Sequence, residues 1–297
     1  MIGTVCQYRA HGDGVDTLGG FMTGKTWFIT GCSRGFGRIW AHAALERGDR
    51  VAVTARNLDS LGEFADKYGD LALLLPLDVT DVPAVREAVQ RAHDHFGRLD
   101  VVVNNAGFAL LGAIEEVDEA DVRAVFETNF FGTLSVIQAA LPLLRAQRSG
   151  HLVSVTSLAG LIGEPSLGIY NASKWAVEGM SDALSQEVAH LGISVTMVEP
   201  GPYATEFGSE SSLRVAPEIS AYSEARHRLM TSYDPGDIGD PHATAQVMLK
   251  LVDETNPPLR LTLGKVVRRR AREHYEARLA IWDQWAEDSD LAHGAPR

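Results

Sequence analysis

Three residues in one short stretch have the types and spacing for proton exchange with a carbonyl or alcohol oxygen: Ser157, Tyr170 and Lys174. Around the last two, Ala172, Trp175, Ala176, Gly179 and Met180 recur at three- and four-residue intervals with few breakers, which reads as a helix. Residues four apart share a helix face, so Tyr170 and Lys174 point the same way. A phenol with a pKa of about 10 is a poor acid–base catalyst near neutrality. An ammonium beside it favours the phenolate and lowers that value. The alternating apolar residues of 151–156 read as a buried strand, and Ser157 at its end could hold the same substrate oxygen. Each residue alone has a plainer use, as helix-start aromatic, solvated charge or capping hydroxyl. The set does redox chemistry only if a hydride carrier lies alongside.

The elements needed to position such a set alternate along the chain from Lys25. Strands are expected at 26–30, 51–55, 71–77, 101–103, 151–156, 194–198 and 259–263. Helices are expected at 39–47, 58–68, 82–96, 118–145, from Tyr170 onward and at 266–285. Asp81 is a fitting N-cap for the third helix, with Pro83 in its first turn. Strands alternating with helices on this spacing predict βαβ units with right-handed crossovers, hence a doubly wound α/β fold with a parallel sheet and helices on both faces. No repeat or linker interrupts 25–198, so a single domain is expected over 25–297. The first 24 residues hold six glycines and neither an n-region nor an h-region, and read as a flexible extension. Met22 is a candidate true start.

Composition narrows the partners. The 297 residues are 45% hydrophobic and 22% charged, with a net charge of −12 that disfavours nucleic acid and anionic membranes. Cys6 and Cys32 make no disulfide framework and lack metal-ligand spacing, so a reducing cytoplasm is the expected compartment and no metal is expected. No apolar run reaches membrane-span length.

A glycine-rich turn, Gly31-Cys32-Ser33-Arg34-Gly35-Phe36-Gly37, follows the first strand and opens the first helix. That context suits binding of a dinucleotide pyrophosphate, although a tight strand-to-helix turn also uses glycine. Taken together, four segments resemble the short-chain dehydrogenase/reductase family: Thr30 to Gly37, the Asn104-Asn105-Ala106-Gly107 run, Ser157 with Tyr170 and Lys174, and Pro200-Gly201 with Thr205. The resemblance covers about 25–263 and implies a Rossmann-type fold and a nicotinamide-dependent oxidoreductase. It implies that Tyr170 is the general acid or base, that Lys174 supports the phenolate and binds the nicotinamide ribose, and that Ser157 polarises the substrate carbonyl. It further implies that Asn129 holds a water in a proton relay to Lys174, and that Asp78 and Val79 flank the adenine.

The second strand ends Val53-Thr54-Ala55-Arg56-Asn57, without the acid that binds a ribose 2′-hydroxyl in NAD sites. Arg56 and Arg34 suit bidentate recognition of a 2′-phosphate, so NADP(H) is favoured over NAD(H); exposed helix-terminus charges are the alternative. In the family the region after Pro200 closes over substrate, which places a lid at about 202–235. Its Tyr203, Phe207, Leu213, Tyr222, Leu229, Met230 and Tyr233 point to a hydrophobic carbonyl or secondary alcohol, with Phe108, Leu110, Leu111, Leu161 and Ile162 as an opposite wall or as core. The wording of the cofactor loop and of 168–184 is most similar to the hydroxysteroid and retinol dehydrogenase branch. Lys265, Arg268, Arg269, Arg270 and Arg272 read as a solvated helix face, and Trp282 and Trp285 as packing residues. The resemblance also implies a homodimer or homotetramer through the long fourth and fifth helices. Two other readings stay open: a non-catalytic cofactor sensor, which has no need of the proton machinery, and a nucleotide-sugar epimerase or dehydratase, which usually carries a larger domain than the residues after Gly201 allow.

Overall fold

A computed structural model describes residues 24–209 and 212–294, so the expected N-terminal extension, apart from Gly24, lies outside the described residues. The elements run β1 (Thr26–Ile29), α1 (Gly35–Glu46), β2 (Arg50–Ala55), α2 (Gly62–Tyr68), β3 (Ala72–Pro76), α3 (Val82–Phe96), β4 (Val101–Asn104), β5 (Ala109–Leu111) and α4 (Glu119–Phe126). They continue with α5 (Thr133–Gln147), β6 (Gly150–Val155), α6 (Gly168–Val188), β7 (Ile193–Pro200), β8 (Leu213–Val215), α7 (Ser223–Met230), α8 (Thr244–Asp253), β9 (Arg260–Leu263), α9 (Lys265–Gln284) and α10 (Ala286–His293). Seven strands form one parallel sheet in the order β3-β2-β1-β4-β6-β7-β9. The fold is the expected Rossmann-type single domain, and each expected strand takes its place in this sheet.

Burial on both sheet faces explains the apolar strand runs: Trp27, Phe28 and Ile29 of β1 are wholly buried. One face carries Leu75, Val85, Val89, Val136, Leu144 and Val195, where α3, α5 and α6 pack. The other carries Trp40, Leu45, Phe64, Met248 and Leu251, where α1, α2 and α8 pack. Order reverses between β1 and β4, and at such a switch point the carboxyl ends of the strands leave a crevice.

Two local expectations are corrected and two further elements are added. The glycine turn passes directly into α1, which begins at Gly35 rather than residue 39. The helix expected over 118–145 is interrupted by a π-helical turn, Glu127–Gly132, that carries Asn129. A second, two-stranded parallel sheet joins β5 to β8, tying the region after Pro200 to the segment after β4. Helix α8 had no sequence expectation; it is tied to a distant partner, Trp40 of α1, whose Nε1 donates to Thr244 Oγ1 at 2.8 Å.

Candidate active site

Helix α1 begins without a side-chain cap and with no acid in its first turn, so the glycine turn presents open backbone N–H groups and the positive end of a helix dipole. Gly31 has φ 72°, and a Cβ there would sit 3.1 Å from Ala106 Cα. At Gly37 a Cβ would come within 2.5 Å of the Gly31 carbonyl oxygen. The backbone is thus folded more tightly than any side chain permits, around a cradle suited to a pyrophosphate. Thr30 Oγ1 accepts from the N–H groups of Asn105 and Ala106 at 2.9 and 3.0 Å. Asn105 Nδ2 donates to the carbonyls of Thr30 and Gly31 at 2.8 and 3.1 Å. These bonds lock the Asn105-Ala106-Gly107 segment against the glycine turn.

A cavity of about 890 Å³ opens along the carboxyl ends of the strands. Every residue expected at the cofactor and catalytic sites lines it except Gly37 and Asn129, which stand behind its wall. Arg34, at the start of α1, Arg56, directly after β2, and Asp78 and Val79, after β3, all line it; Ser157 follows β6, and Tyr170 and Lys174 come from α6. Val79 packs over Gly132, where a Cβ would meet its Cγ2 at 2.7 Å. The residues present therefore fit a dinucleotide along the cavity.

Ser157 caps the short turn after β6, its Oγ accepting from Ala159 N at 3.1 Å, and also hydrogen-bonds the Tyr170 hydroxyl. Lys174 Nζ is buried and donates to the Val155 carbonyl at 2.9 Å, lying 5.8 Å from the Tyr170 ring centroid. Tyr170 and Lys174 share a helix face as expected, but the expected drop in the phenol's pKa is absent. Burial raises Tyr170 above the ordinary range; the Ser157 hydrogen bond opposes this and the Glu164 charge adds to it. The ammonium is drawn to the end of β6 instead of the hydroxyl, and burial lowers Lys174 itself to about 8.

Asn129 clamps the cavity wall. Its Oδ1 accepts from Phe108 N at 3.1 Å, and its Nδ2 donates to Phe108 O and Ser173 Oγ, both at 3.0 Å. Both amide hydrogens are engaged, so a water would have to use a remaining Oδ1 lone pair or the Asn129 backbone carbonyl, which accepts from Thr133 Oγ1 at 2.9 Å. The clamp joins the Gly107–Phe108 backbone to α6, and a Cβ at Gly107 would meet Asn129 Oδ1 at 2.9 Å.

The substrate end differs more from expectation. Phe108 lines the cavity, but Leu110 and Leu111 are buried behind it, and Leu161 and Ile162 pack with Val266 and Val267. Tyr203, Phe207, Leu213 and Tyr233 reach the cavity, whereas Tyr222, Leu229 and Met230 do not. The Phe207 ring stands 6.1 Å from that of Tyr170. Arg214 lies 4.8 Å over the Phe108 ring and pairs with Asp121 at 2.6 Å. Glu164, not singled out in the sequence, lines the cavity nearly buried, with Oε1 accepting from Tyr233 Oη at 2.6 Å and ion-paired with Arg270 Nη1 at 3.0 Å. Arg270 therefore leaves the solvated face it was assigned to. The only sequence signal was an acid in the otherwise uncharged gap between Ser157 and Tyr170. Trp282 and Trp285 are 61% and 60% exposed, so neither packs within the described chain.

Residues 25–215 match the family model for short chain dehydrogenases. The chain belongs to the short-chain dehydrogenase/reductase family. It is 41% identical over 270 residues to oxidoreductase BOA17 of Botryotinia fuckeliana, covering 89% of this chain and 97% of that one. It is 32% identical to retinol dehydrogenase 8 of Bos taurus, covering 80% of each. Among solved structures, a short-chain dehydrogenase from Streptomyces avermitilis superposes with a TM-score of 0.84 at 35% identity, covering 90% of this chain and 98% of its own. The ElxO structure with NADP bound superposes with a TM-score of 0.67 at 27% identity, covering 80% and 96%. This short-chain dehydrogenase/reductase is an oxidoreductase enzyme acting on CH–OH groups with a nicotinamide cofactor. Among its described residues no helix is long and apolar enough to cross a membrane.

Proposed function

We propose that this short-chain dehydrogenase/reductase interconverts a carbonyl and a secondary alcohol on a fairly hydrophobic small molecule, with NADP(H) as its cofactor. The observation that carries the reading is the meeting of Ser157, Tyr170 and Lys174 at one end of the cavity that the glycine turn opens at the other. The glycine turn, Arg34, Arg56, Asp78, Val79, Asn105 to Gly107, Pro200, Gly201 and Thr205 would hold the dinucleotide, whose nicotinamide supplies or accepts the hydride.

Tyr170 gives its hydroxyl proton to the substrate oxygen in reduction and takes it back in oxidation. Ser157 donates to the same oxygen and holds it against Tyr170. Lys174, lowered to about 8, replaces the proton on Tyr170, and at neutral pH its ammonium favours the developing phenolate. Asn129 acts as a positioning residue, keeping the Gly107–Phe108 wall against α6. Two arginines, Arg34 and Arg56, on the cavity lining, with no acid at the two positions directly after Ala55, support preference for a 2′-phosphate over a 2′-hydroxyl.

Phe207, Leu213 and Tyr233, on the 202–235 lid, together with Phe108 and Leu167 on the same cavity lining, support a substrate with a sizeable apolar body. The likeness to a retinol dehydrogenase agrees with that character. Phe131, in the π-helical turn between α4 and α5, and Trp175, on α6, are 46% and 39% exposed, which supports a homodimer or homotetramer through those faces, to be checked by light scattering.

Fluorescence titration with NADPH and NADH, then a ketone panel followed at the NADPH absorbance, tests the reading. Tight NADPH binding with turnover that disappears in Tyr170→Phe is expected. Binding of neither cofactor would refute it. NADPH binding without turnover of any ketone would favour a sensor.

A further inference from the structure

Glu164 is a carboxylate at the substrate end of the cavity, its side chain 6% exposed. Burial of a charge is costly unless it is paired and hydrogen-bonded. The pairing here is one-sided. Tyr233 Oη and Arg270 Nη1 both address Oε1, and Oε2 has no hydrogen-bond partner among the described residues. An ionised carboxylate accepts at both oxygens and cannot donate, so one strong acceptor is left facing the cavity.

The surrounding structure fixes that acceptor in place. The Arg270 guanidinium lies 4.8 Å over the Tyr233 ring, so the two partners of Oε1 also brace each other. Two residues on, Ser166 holds φ 59°, a left-handed conformation that costs a non-glycine residue energy. The Ser166 carbonyl accepts from Gly112 N at 2.8 Å, anchoring the loop to the segment after β5. The Glu164 charge also reaches Tyr170, since it helps raise that hydroxyl. The acceptor and the proposed proton donor therefore face one volume.

We propose that Glu164 is a substrate-binding residue whose free oxygen recognises a hydrogen-bond donor, a hydroxyl or an ammonium, carried near the reacting carbonyl. The inference rests on the oxidoreductase reading above for what is meant by substrate. It adds that a wholly apolar ketone leaves this oxygen unpaired, and that an anionic group placed here is repelled. The selected substrate is an apolar body with a donor-bearing end.

The test uses the full chain, with and without saturating NADP+. Decylamine, decanol and decanoate are titrated by calorimetry below their critical micelle concentrations. A charge-assisted hydrogen bond predicts 1:1 binding of decylamine about 10- to 100-fold tighter than decanoate, with decanol between. Because the chain carries a net charge of −12 and attracts cations everywhere, the deciding comparison is with Glu164→Gln. That variant keeps the shape and is expected to bring the amine-to-carboxylate ratio to within about threefold of one. Tyr233→Phe removes a partner of Oε1 and leaves the carboxylate, and is expected to keep the ratio. If Glu164 only ties down Tyr233, both variants weaken all three probes alike. That pattern, a ratio unchanged in Glu164→Gln, or binding of none of the probes overturns the proposal. NADPH binding and ketone turnover are measured on the same samples. Their loss beside an intact ratio counts against the oxidoreductase reading alone; their presence without a ratio counts against the Glu164 subsite alone.

Discussion

Gly37→Ala is the sharpest perturbation of the cofactor cradle. The new Cβ would lie 2.5 Å from both the Gly31 carbonyl oxygen and Asn105 Nδ2. Each must retreat by about 0.9 Å to regain ordinary contact at 3.4 Å. The first is backbone. The second is held by two hydrogen bonds, to the carbonyls of Thr30 and Gly31, so neither yields freely. Overpacking of this kind costs about 1–3 kcal/mol, and disturbing a hydrogen bond about another 1 kcal/mol. For a chain of this size that is a fall in Tm of roughly 3–6 °C. The displaced loop also carries the N–H groups that would face the pyrophosphate in the proposed site, so the Kd for NADPH should rise at least about tenfold. Gly62→Ala is the control. It sits in α2 with φ −51° at its backbone and nothing within 4 Å of an added Cβ, and helix propensity predicts stabilisation of about 0.5–1 kcal/mol. Differential scanning calorimetry with and without NADPH measures both effects. A Gly37→Ala protein with unchanged Tm and unchanged NADPH affinity would refute the reasoning about the cradle.

Three further outcomes are expected. Reduction should slow as pH rises through about 8, where Lys174 loses its proton, and this alkaline limb should vanish in Lys174→Met, whose kcat falls by about 10² or more; a limb that persists in the variant assigns it elsewhere. His151 is buried against Thr196 Oγ1 and lowered by burial to about 4, so the unfolded chain binds a proton between about pH 6.5 and 4 that the folded chain refuses. Its contribution to stability is present above 6.5 and lost as pH falls through 4, which makes wild type more acid-labile than His151→Gln in urea melts across that window; parallel pH curves would contradict this. Replacing Arg34 and Arg56 together by alanine should weaken NADPH by about tenfold or more and leave NADH within about threefold, and an equal loss for both cofactors would remove these arginines from 2′-phosphate recognition.

The sheet strands, the glycine turn at the head of α1, and the placement of Tyr170 and Lys174 on one helix face were legible because each is a local matter. Side-chain period, the steric freedom of glycine and i,i+4 geometry act within a few residues. The same local rules read 118–145 as one helix and were blind to the π-turn at Glu127–Gly132. That turn coincides with Asn129, whose side chain bonds the Phe108 backbone and Ser173, and no nearest-neighbour pattern announces such distant bonds. Helix α8 and the pairing of β5 with β8 escaped for the same reason, since Trp40 and Ala109 find their partners far along the chain.

By itself, then, the sequence determined the alternation of elements, the cradle and the face shared by Tyr170 and Lys174. Only the tertiary structure decided what surrounds them. It draws the Lys174 ammonium onto the Val155 carbonyl, buries Tyr170 so that its hydroxyl is raised, and brings Glu164, Tyr233 and Arg270 together from three separate segments. Ionisation and pairing depend on burial and on charges across space, and those are set by how the layers pack.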